Sequence, residues 1–402
     1  MGRKNPVLVV DSVEGPAQDG HVARAILEVF ASLRFQPTVV VPTNNTFAEF
    51  CRQNGFSVQV IPHGISRDSS TRLAAFRRWW DGVLACPRMV RLCRRLSPRL
   101  VFVRGVAGWP AIRAAGRMGI PTVWYLQELC PTFQPAPSAQ YYYDDAGDLI
   151  RQKKHRFGTF FLASSRAVSR DRHGRHWVKQ TPVLPEPVHP RFFAESRSPA
   201  EARQLLGLPQ GVPLLGTILS SDREKTVEFF LRVARIVSRF VRSLHYVFPN
   251  ELPPAVRQQV EQRFRYRKLP NRLHFLTGQA NEPVFYRACN LVACIEHASP
   301  TGRSALQAMA VGTPVVVPKW AALTEVVWDG ITGRAIPLTR FRKFAEAVLV
   351  LLNQPEARTR LVANAKAYVR RRHSVYAFKR RLRTFLERIL TQQKIAHPSS
   401  SE

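Results

Sequence analysis

Short β-branched runs alternate with longer amphipathic stretches along nearly the whole chain, and this rhythm constrains the fold more than any other feature. PVLVVDS is followed by HVARAILEVFASL, PTVVVPT by FAEFCRQNG, and FSVQVIP leads on to LVFVRG, AGWPAIRAAGRMG and IPTVWYLQE. Strand patterns separated by helix patterns read as βαβ units with a parallel sheet. The series stops near the proline-rich stretch 131–137 and resumes beyond PVLPEPVHPRFFAESRSPAE, whose clustered prolines disfavour helix and central strand alike. It then continues through VPLLGTILS, VEFFLRVARIVSRF, SLHYVFP, PAVRQQVEQRF, RLHFLTG, NLVACI and TPVVVP. A chain of 402 residues with 45% apolar side chains exceeds one ordinary core, and two domains of roughly 150–200 residues are the natural division. The expected fold is therefore α/β: two Rossmann-like, doubly wound parallel-sheet domains facing a cleft. Residues 1–190 form the first, 191–368 the second, 369–394 a basic helical segment and 395–402 a disordered tail. Ligands of such sheets bind at the carboxyl ends of the strands, which places the expected active site in the cleft.

Composition narrows the classes. The six cysteines, Cys51, Cys86, Cys93, Cys130, Cys289 and Cys294, form no Cys-x-x-Cys pair and have no His-rich companion. This argues against a zinc site and a disulfide framework and fits a reducing cytoplasm. The apolar run in MGRKNPVLVVDS is too short for a signal peptide, and no stretch approaches the roughly 18–20 apolar residues that cross a bilayer. A net charge of +32 and a pI near 11.2 imply an anionic partner, unless they reflect a general habit of arginine use. Phosphate backbones, anionic lipid surfaces and diphosphate-bearing substrates all satisfy that charge.

One segment carries chemistry. In LVACIEHASPTGRSALQAMAVGTPVVVP a strand ends at Ile295, a loop of small residues follows, and SALQAMAV reads as a helix. A helix start preceded by Ser299, Thr301, Gly302 and Ser304 offers backbone N–H groups and a positive dipole end to a phosphate. Arg303 adds a bidentate cation. Ordinary capping of a strand-to-helix turn accounts for the same residues.

The arrangement resembles the family 4 glycosyltransferases. Tyr286-Arg-Ala-Cys-Asn290 looks like the family's Tyr-x-x-Ala-Asp, and Pro300-Thr-Gly-Arg303 its Pro-Phe-Gly-Arg. Gln307-Ala-Met-Ala-Val-Gly312-Thr-Pro314-Val-Val matches Glu-Ala-Met-Ala-x-Gly-x-Pro-Val-Val, and Glu325-Val-Val-Trp-Asp329-Gly330-Ile-Thr-Gly333 matches Glu-Val-Val-x-Asp-Gly-x-Thr-Gly. Weaker similarity extends to Arg272-Leu-His-Phe-Leu, to the hinge Val183–Phe192, and to Asp19-Gly20-His21, where the family has a glycine-rich loop near the donor phosphate. The resemblance implies a GT-B fold, a tail helix crossing back to the first domain, and a metal-independent retaining transferase with no cofactor. A sugar would pass from a nucleotide-diphosphate-sugar donor to a glycan or lipid-linked acceptor in cell-envelope or polysaccharide biosynthesis. The implied mechanism is front-side attack assisted by stabilisation of the leaving diphosphate.

The departures sit at the donor chemistry. The family's two glutamates, the first on the donor sugar and the second on the ribose, are here Ser299 and Gln307. Either can still hydrogen-bond a hydroxyl, and Glu296 lies three residues before Ser299 as a compensating carboxylate. The family's phosphate-binding Arg and Lys correspond to Thr217 and Lys225, with Arg223 in a longer loop as a replacement cation. Lys225 and Arg223 also suit a solvated helix start. The donor set is therefore Gly20, Thr217, Arg223, Glu296, Ser299, Gly302, Ser304, Gln307 and Glu325, with Arg303 and Lys225 on the leaving group. Gln127-Glu128 stands where the family has a His beside an acid, which makes Glu128 the candidate acceptor-side or catalytic carboxylate, the alternative being an ordinary loop carboxylate. Ala321-Ala322 replaces a Gly-Gly pair, and Asp144-Asp145 reads as loop rather than as a metal site.

Two first-domain stretches interleave arginine with tryptophan and aliphatic residues: Arg72–Trp80 and Pro87–Arg95. Arg77, Arg78, Trp79, Trp80, Arg91, Arg94 and Arg95 form the expected membrane or acceptor surface, the alternative being ordinary helices with snorkelling arginines. The chain is expected in the cytoplasm, peripheral to the inner face of the cytoplasmic membrane. A second reading keeps the fold and drops the catalysis, leaving a module that binds a glycan, a nucleotide or a partner. Nucleic-acid binding rests on charge alone and lacks a reader motif.

Overall fold

The computed structural model describes residues 5–11, 20–63, 72–127, 158–169, 181–219, 224–249, 252, 254–270, 272–276, 282–296, 299–320 and 322–396. Contacts divide the chain into two compact units, 1–186 with 375–402, and 187–374.

In the first unit six strands form one parallel sheet: β1 (Asn5–Asp11), β2 (Phe35–Val41), β3 (Ser57–Val60), β4 (Leu100–Arg104), β5 (Thr122–Leu126) and β6 (Thr159–Ala163). Their order is β3-β2-β1-β4-β5-β6, so the winding reverses between β1 and β4. Helices α1 (Gly20–Ser32), α2 (Thr46–Gln53), α3 (Arg72–Leu96) and α4 (Trp109–Arg117) make the crossovers. Strand residues alternate between the two faces. Val7 and Val9 pack with Ile26 and Phe30 of α1, while Leu8 and Val10 pack with Met89 of α3 and Ile112 of α4. Burial on both faces is why these strands read as continuous apolar runs.

The last helix, α12 (Val375–Ala396), belongs to this unit. Phe378, Leu382, Leu386 and Ile389 recur on one face and are buried in the α1 side of the core. Burying each is worth about 1.5–3 kcal/mol, and Lys379 adds an ion pair with Glu28 of α1.

The second unit repeats the plan. Its parallel sheet comprises β7 (Leu214–Leu219), β8 (His245–Phe248), β9 (Arg272–Phe275), β10 (Leu291–Ile295), β11 (Val315–Pro318) and β12 (Arg334–Ile336). The order is β12-β11-β10-β7-β8-β9, with the reversal between β10 and β7. Helices α5 (Pro199–Leu205), α6 (Glu224–Phe240), α7 (Pro254–Tyr266), α8 (Glu282–Ala288), α9 (Arg303–Val311), α10 (Phe341–Asn353) and α11 (Pro355–His373) cover both faces. Ser198 and Glu201 start α5 with a reciprocal capping box. Buried Arg203 then ties α5 to the carbonyls of Ala288 and Val212 and to the Asn290 side chain.

The edge strands β6 and β12 stand outside the series read from the sequence. Each is too short or too irregular in pattern to announce itself. Cys51, Cys86, Cys93, Cys289 and Cys294 are buried and form no disulfide among the described residues, and no described helix is long and apolar enough to cross a membrane.

Candidate functional site

At the reversal point of the second sheet, β10 buries all five of its residues and delivers the chain to Glu296 at its carboxyl end. The turn that follows is fixed from both sides. The Ser299 hydroxyl accepts from the Gly302 N–H at 3.0 Å, and Gly302 adopts φ +68°, the left-handed region that glycine tolerates. A Cβ there would stand 2.7 Å from Val326 Cγ2, so the second constraint is space. Helix α9 then begins at Arg303 with no side chain capping it. First-turn N–H groups lack intrahelical partners and carry the positive end of the dipole, which makes this a place for an anion.

A polar chain runs beneath the turn. The Ser304 hydroxyl donates to Glu296 Oε1 at 3.1 Å, and the Tyr286 hydroxyl donates to Gln307 Oε1 at 3.0 Å. Ser304 also lies within hydrogen-bonding reach of Tyr286, linking the two pairs. Burial holds the Tyr286 hydroxyl well above its usual range, so it stays a neutral donor. The other oxygen of Glu296 is buried and has no hydrogen-bond partner among the described residues. Burial pushes this carboxyl up to about 7, against the lowering effect of Ser304 and Arg303. Gln307 is itself buried. With one lone pair of its oxygen held by Tyr286, Gln307 still carries N–H donors that a glutamate in its place would lack.

The structure brings together Glu296, Ser299, Gly302, Arg303, Ser304 and Gln307. Glu325 stands beside them in the helical turn Leu323–Val326, whose Val326 closes on Gly302, and its carbonyl accepts from the Tyr368 hydroxyl at 3.2 Å. Thr217 is fully buried within β7, and its hydroxyl leans on the Leu215 carbonyl at 3.5 Å. Lys225 is exposed in the first turn of α6. In the first unit, Gly20 opens α1. Glu128, Arg223, Cys130, Asp19 and Asp144-Asp145 lie outside the described residues, as do the side chains of Arg77, Arg78 and Trp79. Trp80, Arg91, Arg94 and Arg95 are exposed on α3.

Sequence reasoning passed over a second cluster, at the reversal point of the first sheet. Arg104, ending β4, places Nη1 2.9 Å from Asp11 Oδ2, which ends β1. Its Nε donates to Gln127 Oε1 at 2.8 Å, and the Gln127 amide donates to Glu186. Arg104, Asp11 and Gln127 are all nearly inaccessible. Nearby His63 donates from Nδ1 to the Ile61 carbonyl at 2.6 Å, and its buried Nε2 has no partner among the described residues. Burial lowers the His63 pKa, so the ring is a neutral acceptor at Nε2. The available signal was a charged residue ending an apolar strand, Asp11 after VLVV and Arg104 after LVFV.

Comparison with known proteins reaches the same half of the chain. Residues 201–368 match the model of the Glycosyl transferases group 1 family. Relatives include the alpha-D-kanosaminyltransferase of Streptomyces kanamyceticus, 27% identical over 180 residues, covering 44% of this chain and 46% of the relative. The D-inositol 3-phosphate glycosyltransferase of Frankia alni is 37% identical over 81 residues, 20% of each chain. The chain thus spans less than half the length of these curated relatives. Among solved structures, Anabaena HepE in complex with UDP and glucose superimposes with a TM-score of 0.72 at 18% identity, covering 96% of this chain and 100% of that one. Sucrose-phosphate synthase of Thermosynechococcus elongatus gives 0.72 at 16% identity, covering 96% and 100%. The fold is GT-B, with two Rossmann-like parallel-sheet units.

Proposed function

We propose that this protein is a retaining, family 4-like glycosyltransferase that uses a nucleotide-diphosphate-sugar donor. The observation that carries the reading is the β10–α9 turn, an uncapped helix start held open by Gly302 and flanked by Arg303. It lies inside the segment that matches the glycosyltransferase family. The donor diphosphate sits on the α9 N-terminus, and Arg303 with Lys225 and Arg223 stabilises it as it departs. Glu325 and Gln307 hold the nucleoside, and Glu296 with Ser299 faces the sugar. Positive side chains and the helix dipole neutralise the leaving group without a metal. Glu128 serves the acceptor, a glycan or lipid-linked sugar of the cell envelope, and the site of action is the cytoplasm. UDP-glucose bound to a structure of the same fold supports a uridine donor.

The test is a panel of UDP-, GDP- and ADP-linked sugars, with release of nucleoside diphosphate measured in the presence of candidate glycan acceptors. Release from one donor class is expected, reduced roughly a hundredfold in Arg303→Ala. A folded protein that neither binds nor turns over any of them overturns the reading.

Replacement of both family carboxylates by Ser299 and Gln307 favours one alternative, a glycan-, nucleotide- or partner-binding module without turnover. Installing Ser299→Glu with Gln307→Glu separates the two. A divergent enzyme changes donor preference or rate, whereas a binding module gains no turnover.

A further inference from the structure

Positive charge is densest in two stretches of this protein, 72–117 and 355–396, and the first combines it with exposed apolar side chains. Between Arg72 and Arg117, the segment spanning α3, β4 and α4, there are eleven arginines and one acid, Asp81. Four helices elsewhere offset an arginine with a glutamate one turn away: Arg24–Glu28 on α1, Arg232–Glu228 on α6, Arg257–Glu261 on α7 and Arg383–Glu387 on α12. On α3, Arg88, Arg91, Arg94 and Arg95 are exposed and make no ion pair with any described residue.

Helical geometry sets out what this layer presents. At about 100° per residue, Trp80, Leu84, Arg88, Arg91 and Arg95 fall within an arc of about 80°. All five are exposed, Trp80 at 48% and Leu84 at 46%. Ala85, Met89, Leu92 and Cys93 point the opposite way into the core, so the face is outward by construction. Half-buried Asp81 sits at the border of the arc. Arg113 and Arg117 of neighbouring α4, which covers the same side of the sheet, are also exposed.

We propose that the outer face of α3 docks on an anionic lipid bilayer. The combination of groups selects that occupant. Arginines attract the headgroup phosphates, and large apolar side chains in the same line enter the boundary between headgroups and acyl chains. A duplex backbone would satisfy the arginines but leave Leu84 and Trp80 in water, and a single strand, which stacks a base on Trp80, would still leave Leu84 there. Docking here does not depend on the transferase reading, because the face lies on the first unit and involves none of the β10–α9 groups.

The experiment is co-sedimentation of the full chain with vesicles at near-physiological salt, using phosphatidylcholine alone and phosphatidylcholine mixed with phosphatidylglycerol. Binding to the mixed vesicles only is expected. R88E/R91E/R95E should weaken it by about a hundredfold, since each arginine near an anionic surface is worth about fivefold. W80S/L84S should abolish the binding that survives at high salt. R235E/R239E/R265E removes three exposed arginines of α6 and α7, beside exposed Phe240 and Tyr266, and should change binding little. Circular dichroism of each variant confirms folding.

Three results overturn the proposal. One is equal or no binding to both vesicles by the wild-type chain. Another is an α3 effect no larger than that of the α6–α7 variant, which would mean attraction by net charge alone. The third is single-stranded RNA displacing the protein from vesicles through the same arginines, which would assign the face to nucleic acid.

Discussion

The two sheets reverse direction in the same way, yet their reversal points treat charge in opposite fashion. In the first unit, Asp11, Arg104, Gln127 and Glu186 close on one another, and the buried guanidinium is met by a carboxylate and an amide. In the second unit, Glu296 bonds Ser304 through one oxygen, keeps the other buried without a described partner, and faces an uncapped helix start. A buried charge is stable only when paired, so the first arrangement fixes strand ends in place. A buried carboxyl oxygen with no described partner, beside a helix start that no side chain caps, is an arrangement that a ligand can complete. The same topology therefore carries a closed polar network in one unit and, in the other, the open turn proposed above as the donor site.

Replacing Arg104 with leucine should have the largest effect on this contrast. It strands Asp11 in the interior and should cost about 3–5 kcal/mol. Urea unfolding followed by the fluorescence of buried Trp109 and Trp124 measures the loss. A cost under about 1 kcal/mol would mean that the network does not fix the strand ends in place.

Glu296 gives the next effect, and its sign follows from the raised pKa. The folded protein holds the proton up to about pH 7, whereas the unfolded chain releases it near 4.5. The unfolded state then binds fewer protons between those values, so this group's contribution is intact below pH 4.5 and is lost as pH rises to 7. The expected loss is about 2–3 kcal/mol across that window. Glu296→Gln should remove the slope and be the more stable form at pH 8. Matching unfolding curves for the two proteins from pH 5 to 8 would contradict the buried-carboxyl account.

Tyr286→Phe removes the donor to buried Gln307 and should cost about 1–2 kcal/mol. Thermal denaturation reads it. Nucleotide affinity should also fall, because the amide is then free to turn. Arg24→Ala breaks an exposed pair on α1 and should change stability by no more than about 0.5 kcal/mol.

The alternation of apolar runs and amphipathic helices made both parallel sheets legible, because burial on both faces leaves its mark on every central strand. Edge strands such as β12, three residues long, leave too little pattern. The β10–α9 turn was legible because its groups lie within a dozen residues and are therefore near by covalent connection. The Asp11–Arg104–Gln127 network was not. Its members are 93 and 23 residues apart, and only the register of β1 on β4 and of β4 on β5 brings them together. Tyr286 enters the sequence pattern only as the first residue of the Tyr286–Asn290 motif, since nothing in a local window shows that a tyrosine before β10 ends beneath α9. Glu128 and Arg223, both nominated from the sequence, fall outside the described residues.

The central claim is that the β10–α9 turn receives a nucleoside diphosphate. Isothermal titration of UDP, GDP and ADP into the wild-type protein, Gly302→Val and Arg303→Ala tests it most directly. One nucleotide should bind the wild-type chain. Gly302→Val, which forces a side chain into φ +68° and against Val326, should lose that binding, and Arg303→Ala should weaken it by at least about tenfold. Wild-type protein that binds none of the three, or binding that survives Gly302→Val unchanged, would contradict the claim.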